Sequence, residues 1–169
     1  MKRLLLAIFV TLSSTILMAS EKSKHTDPHL EIYGGYVMET SKTSHSKEDA
    51  EGYEIGIGVS KGAESFEHLY WTAEVDYESL ESGDIKSYTF AVVPKYAITE
   101  HLWLGAGINY IISDHDGHDL DGFGYQFHVD FHITEHAGAY LKYKIAELED
   151  DHHHETDTSA FSFGLAYIF

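Results

Sequence analysis

Eight segments of this chain place large apolar side chains on alternate residues, and this period of two decides what the chain can fold into. The last segment, 161–169, is the plainest. Phe161, Phe163, Leu165, Tyr167 and Phe169 share one parity, and Ser162, Gly164, Ala166 and Ile168 share the other. Successive side chains of a strand point to opposite faces, so such a strand has one bulky apolar face and one face of mostly small residues. Segments 29–40, 51–61, 68–79, 85–97, 101–112, 122–133 and 136–147 repeat the pattern. In 122–133, Phe123, Tyr125, Phe127, Val129, Phe131 and Ile133 oppose Gly124, Gln126, His128, Asp130 and His132. No stretch carries a convincing helical period. The sequence therefore predicts an all-β chain with eight antiparallel strands.

The connections alternate in kind. The links at 62–67, 98–100 and 134–135 are short or modest, while those at 41–50, 80–84, 113–121 and 148–158 are more polar and mostly longer. That alternation predicts an up-and-down meander with tight turns at one end and polar loops at the other. Two tight ends share the tetrapeptide Ile-Thr-Glu-His, at 98–101 and 133–136.

The N-terminus sets the compartment. Lys2 and Arg3 precede an apolar run from Leu4 to Val10, which weakens towards Met18 and ends at Ala19 and Ser20. This is the layout of a secretory signal peptide over 1–20, and Thr11, Ser13, Ser14 and Thr15 interrupt it too often for a spanning helix. A polar leader, 21–28, follows, and 29–169 form the single folded domain. The chain has 28 acidic and 11 basic residues, for a net charge of −17, and no Cys. Both Lys2 and Arg3 leave with the signal, so the exported remainder is more acidic still. Such a chain is a poor nucleic-acid binder and lacks a basic patch for anionic lipid. Without disulfides, stability must come from the fold itself.

Two closed barrels satisfy the pattern. In a soluble barrel, bulky Tyr, Phe, Trp and Leu from eight strands would crowd a lumen that eight strands only just fill. In a membrane barrel the faces exchange roles, with apolar residues towards lipid and polar ones inside. Aromatic placement favours the second. Tyr36, Tyr53, Tyr77, Tyr88, Tyr110, Phe123, Tyr143 and Phe161 all share the apolar parity near the loop ends of their segments. Trp71, Tyr96, Phe131, Tyr167 and Phe169 sit towards the other ends. A core has no reason to put tyrosine at one height on most strands, whereas a membrane interface does.

These features resemble the small eight-stranded outer-membrane β-barrels of Gram-negative bacteria, the OmpA/OmpX-like group. The resemblance rests on the glycine-rich first strand at 32–36, the alternation of turns and loops, and the terminal Tyr167-Ile168-Phe169. It implies a transmembrane barrel in the outer membrane, contact with outer-membrane lipid and lipopolysaccharide, and a monomer. It also implies that Tyr167 and Phe169 form part of the signal read by the outer-membrane assembly machinery.

The polar parity carries the charge. Glu74, Asp76, Lys95, His128, Asp130, Lys142 and Lys144 are expected to form a network in the lumen, together with Glu31, Glu39, Glu54, Glu78 and His132. The sequence offers Glu74 or Asp76 as partners for Lys95, and Lys142 or Lys144 for Asp130. Buried charges need partners, so the expected result is a plug of ion pairs. His29, His68, His101 and His136 fall at the tight-turn ends and are read as strand-end polar residues. The loops mix imidazole with carboxylate, both ligands for divalent metal. Asp114, His115, Asp116, His118 and Asp119 form one candidate set, and His152, His153 and His154 another.

Catalysis is not expected. Ser44 and Ser46 flank His45, but neighbours in sequence seldom align as nucleophile and base, and no nucleophile elbow or phosphate loop is present. The reading is a non-enzymatic barrel with an envelope-structural or surface-interaction role and no cofactor beyond a possible loop metal. The alternatives are a metal-capturing surface barrel, using 113–121 and 147–157, and a narrow small-solute pore.

Overall fold

The computed structural model describes residues 27–43, 46–63, 65–81, 85–115, 118–150 and 154–169. The signal segment 1–20, the Ser44–His45 pair, and Asp116, His152 and His153 lie outside the described residues. The strands are β1 (His29–Lys42), β2 (Lys47–Gly62), β3 (Leu69–Leu80), β4 (Ile85–Ala97), β5 (Leu102–His115), β6 (His118–His132), β7 (Ala137–Asp150) and β8 (Glu155–Ile168). Each pairs antiparallel with its neighbour in sequence, and β8 closes on β1 from Glu31↔Ile168 to Lys42↔Asp157. The fold is the up-and-down eight-stranded barrel that the period of two predicts.

The parity of every segment falls as expected. Glu54, Thr72, Asp76, Gln126, Lys142 and Ser162 point inward and are buried. Their neighbours point outward, with Phe123 62 %, Tyr125 61 %, Phe127 49 % and Leu165 67 % exposed. Apolar side chains thus encircle the barrel as one continuous band, far beyond the scattered apolar surface of a soluble monomer.

The strands run further than the sequence suggests at the polar-loop end. Segments 41–50, 113–121 and 148–158 are not long loops; most of their residues continue the ladders. Lys42 pairs with Lys47, His115 with His118, and Glu149 with Glu155. The reason is visible in the sequence once pairing is considered. Asp114-His115 and His118-Asp119 mirror each other about Asp116-Gly117, a dipeptide favoured between paired strands. β2 reaches 16 residues, well beyond the ten or so that a hydrocarbon layer requires. The tyrosine girdle therefore lies below the hairpin tips and divides an apolar lower wall from a polar upper one.

Two girdle tyrosines point their hydroxyls towards that upper wall. Tyr36 donates to Glu51 and Tyr110 to Asp121, each carboxylate lying nearer the loop end. An aromatic ring on the apolar band with its hydroxyl turned to a charged group suits a boundary between oil and water. Tyr77 packs on Tyr88 at 5.2 Å and Tyr110 on Phe123 at 4.9 Å, so girdle rings meet across the β3–β4 and β5–β6 seams.

The repeated Ile-Thr-Glu-His tetrapeptide is a turn device. Thr99 Oγ1 accepts the backbone N–H groups of His101 and Leu102, and Thr134 Oγ1 accepts those of His136 and Ala137. In both turns the Ile and Thr N–H groups then donate to the first residue of the next strand, Leu102 or Ala137. The histidine finishes the joint. His101 Nδ1 lies 2.9 Å from the carbonyl of His132, and His136 Nδ1 lies 3.0 Å from that of Ile168. These two histidines tie each turn to the adjacent strand.

The β4–β5 ladder pairs Val92 with Ile108 and next pairs Lys95 with Gly105. Pro94 falls in the interval and has no N–H to donate, which accounts for the lapse.

Candidate functional site

Parity delivers the charged residues to one place, the lumen, where three tiers fill the cross-section. At the loop end the inward side chains form two apolar clusters beside the buried Glu39, Ser41, Ser87, Ser113, Thr156 and Thr158. Val37, Ala50, Leu80, Ile85 and Ala160 form one cluster, and Ile111, Leu120, Ala146 and Leu148 form another. Four of their members, Ala50, Leu80, Leu120 and Leu148, lie in segments that sequence reading assigned to loops. That misassignment concealed part of this tier, although Leu80, Leu120 and Leu148 stand on the inward parity.

The middle tier holds the ion pairs. Lys95 Nζ lies 2.9 Å from Asp130, 3.1 Å from Glu74 and 3.9 Å from Glu31. Lys142 Nζ lies 2.9 Å from Asp76 and 3.7 Å from Glu54. Lys144 pairs with Glu78 and lies 3.7 Å from Glu54. Most of these pairs cross the lumen rather than follow the wall. Asp130 of β6 meets Lys95 of β4, not the adjacent Lys142 or Lys144, and Lys142 of β7 meets Asp76 of β3. An eight-stranded lumen is narrow enough for a lysine side chain to span, and sequence adjacency of strands does not reveal this.

Six carboxylates share three ammonium groups in this tier, so neutral donors carry part of the load. Tyr33 donates to Asp76. Gln126 Nε2 donates to Glu74 at 3.1 Å and contacts His128 Nε2 at 2.9 Å. With the amide donating to both, His128 Nε2 is an acceptor and its proton sits on Nδ1, which faces Asp130 at 3.9 Å. Gln126 is thus the hub of the lower network. It was legible only as an inward polar residue. The Tyr33 and Tyr140 rings meet edge to face at 5.3 Å, and Lys142 Nζ stands 4.4 Å above the Tyr33 ring. A small cavity of about 20 Å³ remains beside Glu31, Glu74, Lys95, His128, Asp130 and Tyr140. It has room for roughly one water.

The third tier closes the tight-turn end with rings. Tyr70 stacks on Trp103 at 4.2 Å, and Trp103 stacks on His132 at 4.5 Å. His29 meets Tyr70 and Trp103 edge-on at 6.2 and 6.0 Å, and its Nε2 lies 3.3 Å from Glu31. All four residues occupy inward or strand-end positions.

The other candidate groups are dispersed. On the β5–β6 hairpin Asp114 pairs across the ladder with Asp119, and His115 with His118. His154 Nδ1 lies 3.0 Å from Asp150 within the β7–β8 connection. Among the described residues no group of three or more His, Asp or Glu side chains is placed to hold a metal ion. In the β1–β2 hairpin, Thr40 donates to Asp49 at 2.7 Å and Lys47 donates at 3.3 Å; these bonds hold the Asp49 carboxyl below its usual range. At the C-terminus Tyr167 and Phe169 stand on the outward face, their rings 4.8 Å apart.

No family model matches the sequence, and no curated protein does either. Solved structures do match. Neisserial surface protein A is similar at 16 % identity and a TM-score of 0.58, over 82 % of this chain and 96 % of that one. The attachment invasion locus protein Ail of Yersinia pestis, solved with the heparin analogue sucrose octasulfate, is similar at 14 % identity and a TM-score of 0.58, over 84 % and 99 %. A second structure of Ail gives 17 % identity and a TM-score of 0.55, over 83 % and 98 %. With the closed eight-strand topology, these likenesses show that the chain has the fold of the small eight-stranded outer-membrane β-barrels.

Proposed function

We propose that the protein is an integral, non-enzymatic barrel of the Gram-negative outer membrane with a closed lumen. Its role is envelope structure or surface interaction. Residues 1–20 direct export, and Tyr167 and Phe169 present the terminal signal to the outer-membrane assembly machinery. The lower wall contacts outer-membrane lipid. The hairpins above the girdle meet lipopolysaccharide and the exterior, where their excess of carboxylate repels anionic neighbours.

One observation carries this reading: the apolar band lies outside and the lumen is filled by three successive tiers. Hydrocarbon admits a backbone only where every polar group is paired, and the closed ladder meets that demand. A lumen crossed by Lys95, Lys142 and Lys144, each 2 % exposed or less, leaves little room for a solute path.

The test is electrical. Refolded protein inserted into planar bilayers is expected to give no stable single-channel steps, while keeping the heat-modifiable gel mobility of a folded barrel. Stable, voltage-independent steps from the same preparation would replace the closed-lumen reading with a pore.

A further inference from the structure

Each tight turn ends on the same dipeptide. Glu67-His68, Glu100-His101 and Glu135-His136 immediately precede β3, β5 and β7, and all six residues are exposed. One backbone device seats all three. The N–H of Ala97, His132 or Ile168, the last residue of β4, β6 or β8, donates to the carbonyl of the histidine. Each ring then lies beside an outward aromatic of that same strand. His68 is 6.0 Å from Tyr96, His101 is 6.2 Å from Phe131, and His136 is 6.1 Å from Tyr167.

The turns are not simply polar. Phe66, Ile98 and Ile133, one in each, are 65, 51 and 54 % exposed. With Tyr96, Phe131 and Tyr167 beside them, such side chains seat the turns in the headgroup layer of a bilayer rather than clear of it. The charge of this rim has one sign. Each turn carries an exposed carboxylate, while Lys61 and Lys95, the described lysines of the adjoining strand ends, are buried. The imidazoles add acceptors. His101 and His136 each place Nδ1 against a backbone carbonyl. A carbonyl only accepts, so Nδ1 carries the proton and a neutral ring keeps a lone pair on Nε2.

We propose that the tight-turn rim is a binding surface for lipids whose headgroup ends in a primary ammonium. The ammonium donates to a turn carboxylate and to the neighbouring imidazole, and the acyl chains lie against the apolar wall. A primary ammonium has three N–H donors for this cluster of acceptors. A quaternary ammonium carries the same charge without a donor, and an anionic headgroup meets the carboxylates with the wrong sign. The surface rests on the membrane-barrel reading, and it holds whether the lumen is closed or open.

Lipid competition tests it. Folded protein in detergent is offered phosphatidylethanolamine and phosphatidylcholine of identical chains in equal amounts, and bound lipid is counted by native mass spectrometry. Phosphatidylethanolamine adducts are expected to exceed phosphatidylcholine adducts about three-fold, the scale of one exposed charge-assisted contact. Replacing the three exposed carboxylates together, Glu67→Ala, Glu100→Ala and Glu135→Ala, is expected to abolish the preference while retaining heat-modifiable mobility. Equal adducts on the unsubstituted protein overturn the proposal, even if the triple variant does not fold. A preference that survives in the folded triple variant overturns it equally, as does tighter binding of phosphatidylglycerol than of phosphatidylethanolamine. A heat-modifiable barrel with no lipid preference defeats the lipid surface alone, so the two readings fail separately.

Discussion

Lys95→Met is expected to destabilise the folded barrel by about 3–5 kcal/mol, the cost of removing one partner from a buried charge network. The position is severe because Lys95 serves three carboxylates at once, at 2.9, 3.1 and 3.9 Å. Methionine fills nearly the same volume, so packing changes little and the loss reports on charge. Glu31, Glu74 and Asp130 would then face one another without a cation. Urea unfolding in detergent micelles or bilayers measures the effect. A companion variant separates charge from packing: adding Glu74→Gln and Asp130→Asn to Lys95→Met is expected to recover a large part of the loss, because neutral amides do not repel. A Lys95→Met protein as stable as the parent would mean that the network is wet and its charges screened.

The second large effect lies at the seam where β8 closes on β1. Gly35 and Gly164 face each other across it. A Cβ on Gly164 would lie 2.2 Å from the Gly34 carbonyl oxygen and 2.6 Å from Gly35 Cα. A Cβ on Gly35 would lie 2.1 Å from the Phe163 oxygen and 2.7 Å from the Tyr140 hydroxyl. These neighbours are mostly backbone, which cannot swing aside. Gly164→Val is therefore expected to abolish closure, so that boiled and unboiled samples run together on a gel. Gly58→Ala is the control, since its Cβ would meet nothing nearer than 3.5 Å. That variant is expected to keep the mobility shift.

Much of this architecture was legible in the alternation. A strand side chain has only two faces, so once parity is set, Glu74, Asp76, Lys95, His128, Asp130, Lys142 and Lys144 must all share the lumen. Strand ends were less legible. Polar residues at 113–121 and 148–158 look like loop, yet outside a membrane both faces of a hairpin can be polar and still pair. Their inward leucines were the available signal. Lumen partners were the least legible. Parity places Asp130 and Lys95 inside, but only barrel radius and stagger decide that they meet across the bore. The stack of Tyr70, Trp103 and His132 is hidden for the same reason, since its rings come from three different strands. The Ile-Thr-Glu-His repeat was visible as a repeat, but its threonine cap and histidine tie needed coordinates.

The central claim is that one parity meets hydrocarbon and the other does not. Single cysteines answer it directly, because the chain has none of its own. Phe127 and Leu165 are 49 % and 67 % exposed on the outward face, while Gln126 and Ser162 are both 0 % exposed inside. In lipid vesicles, cysteines at Phe127 and Leu165 are expected to react with a maleimide carried on a lipid chain. Cysteines at Gln126 and Ser162 are expected to remain unlabelled until the barrel is unfolded. Labelling of the second pair in the folded protein, with the first pair silent, would contradict the membrane orientation outright.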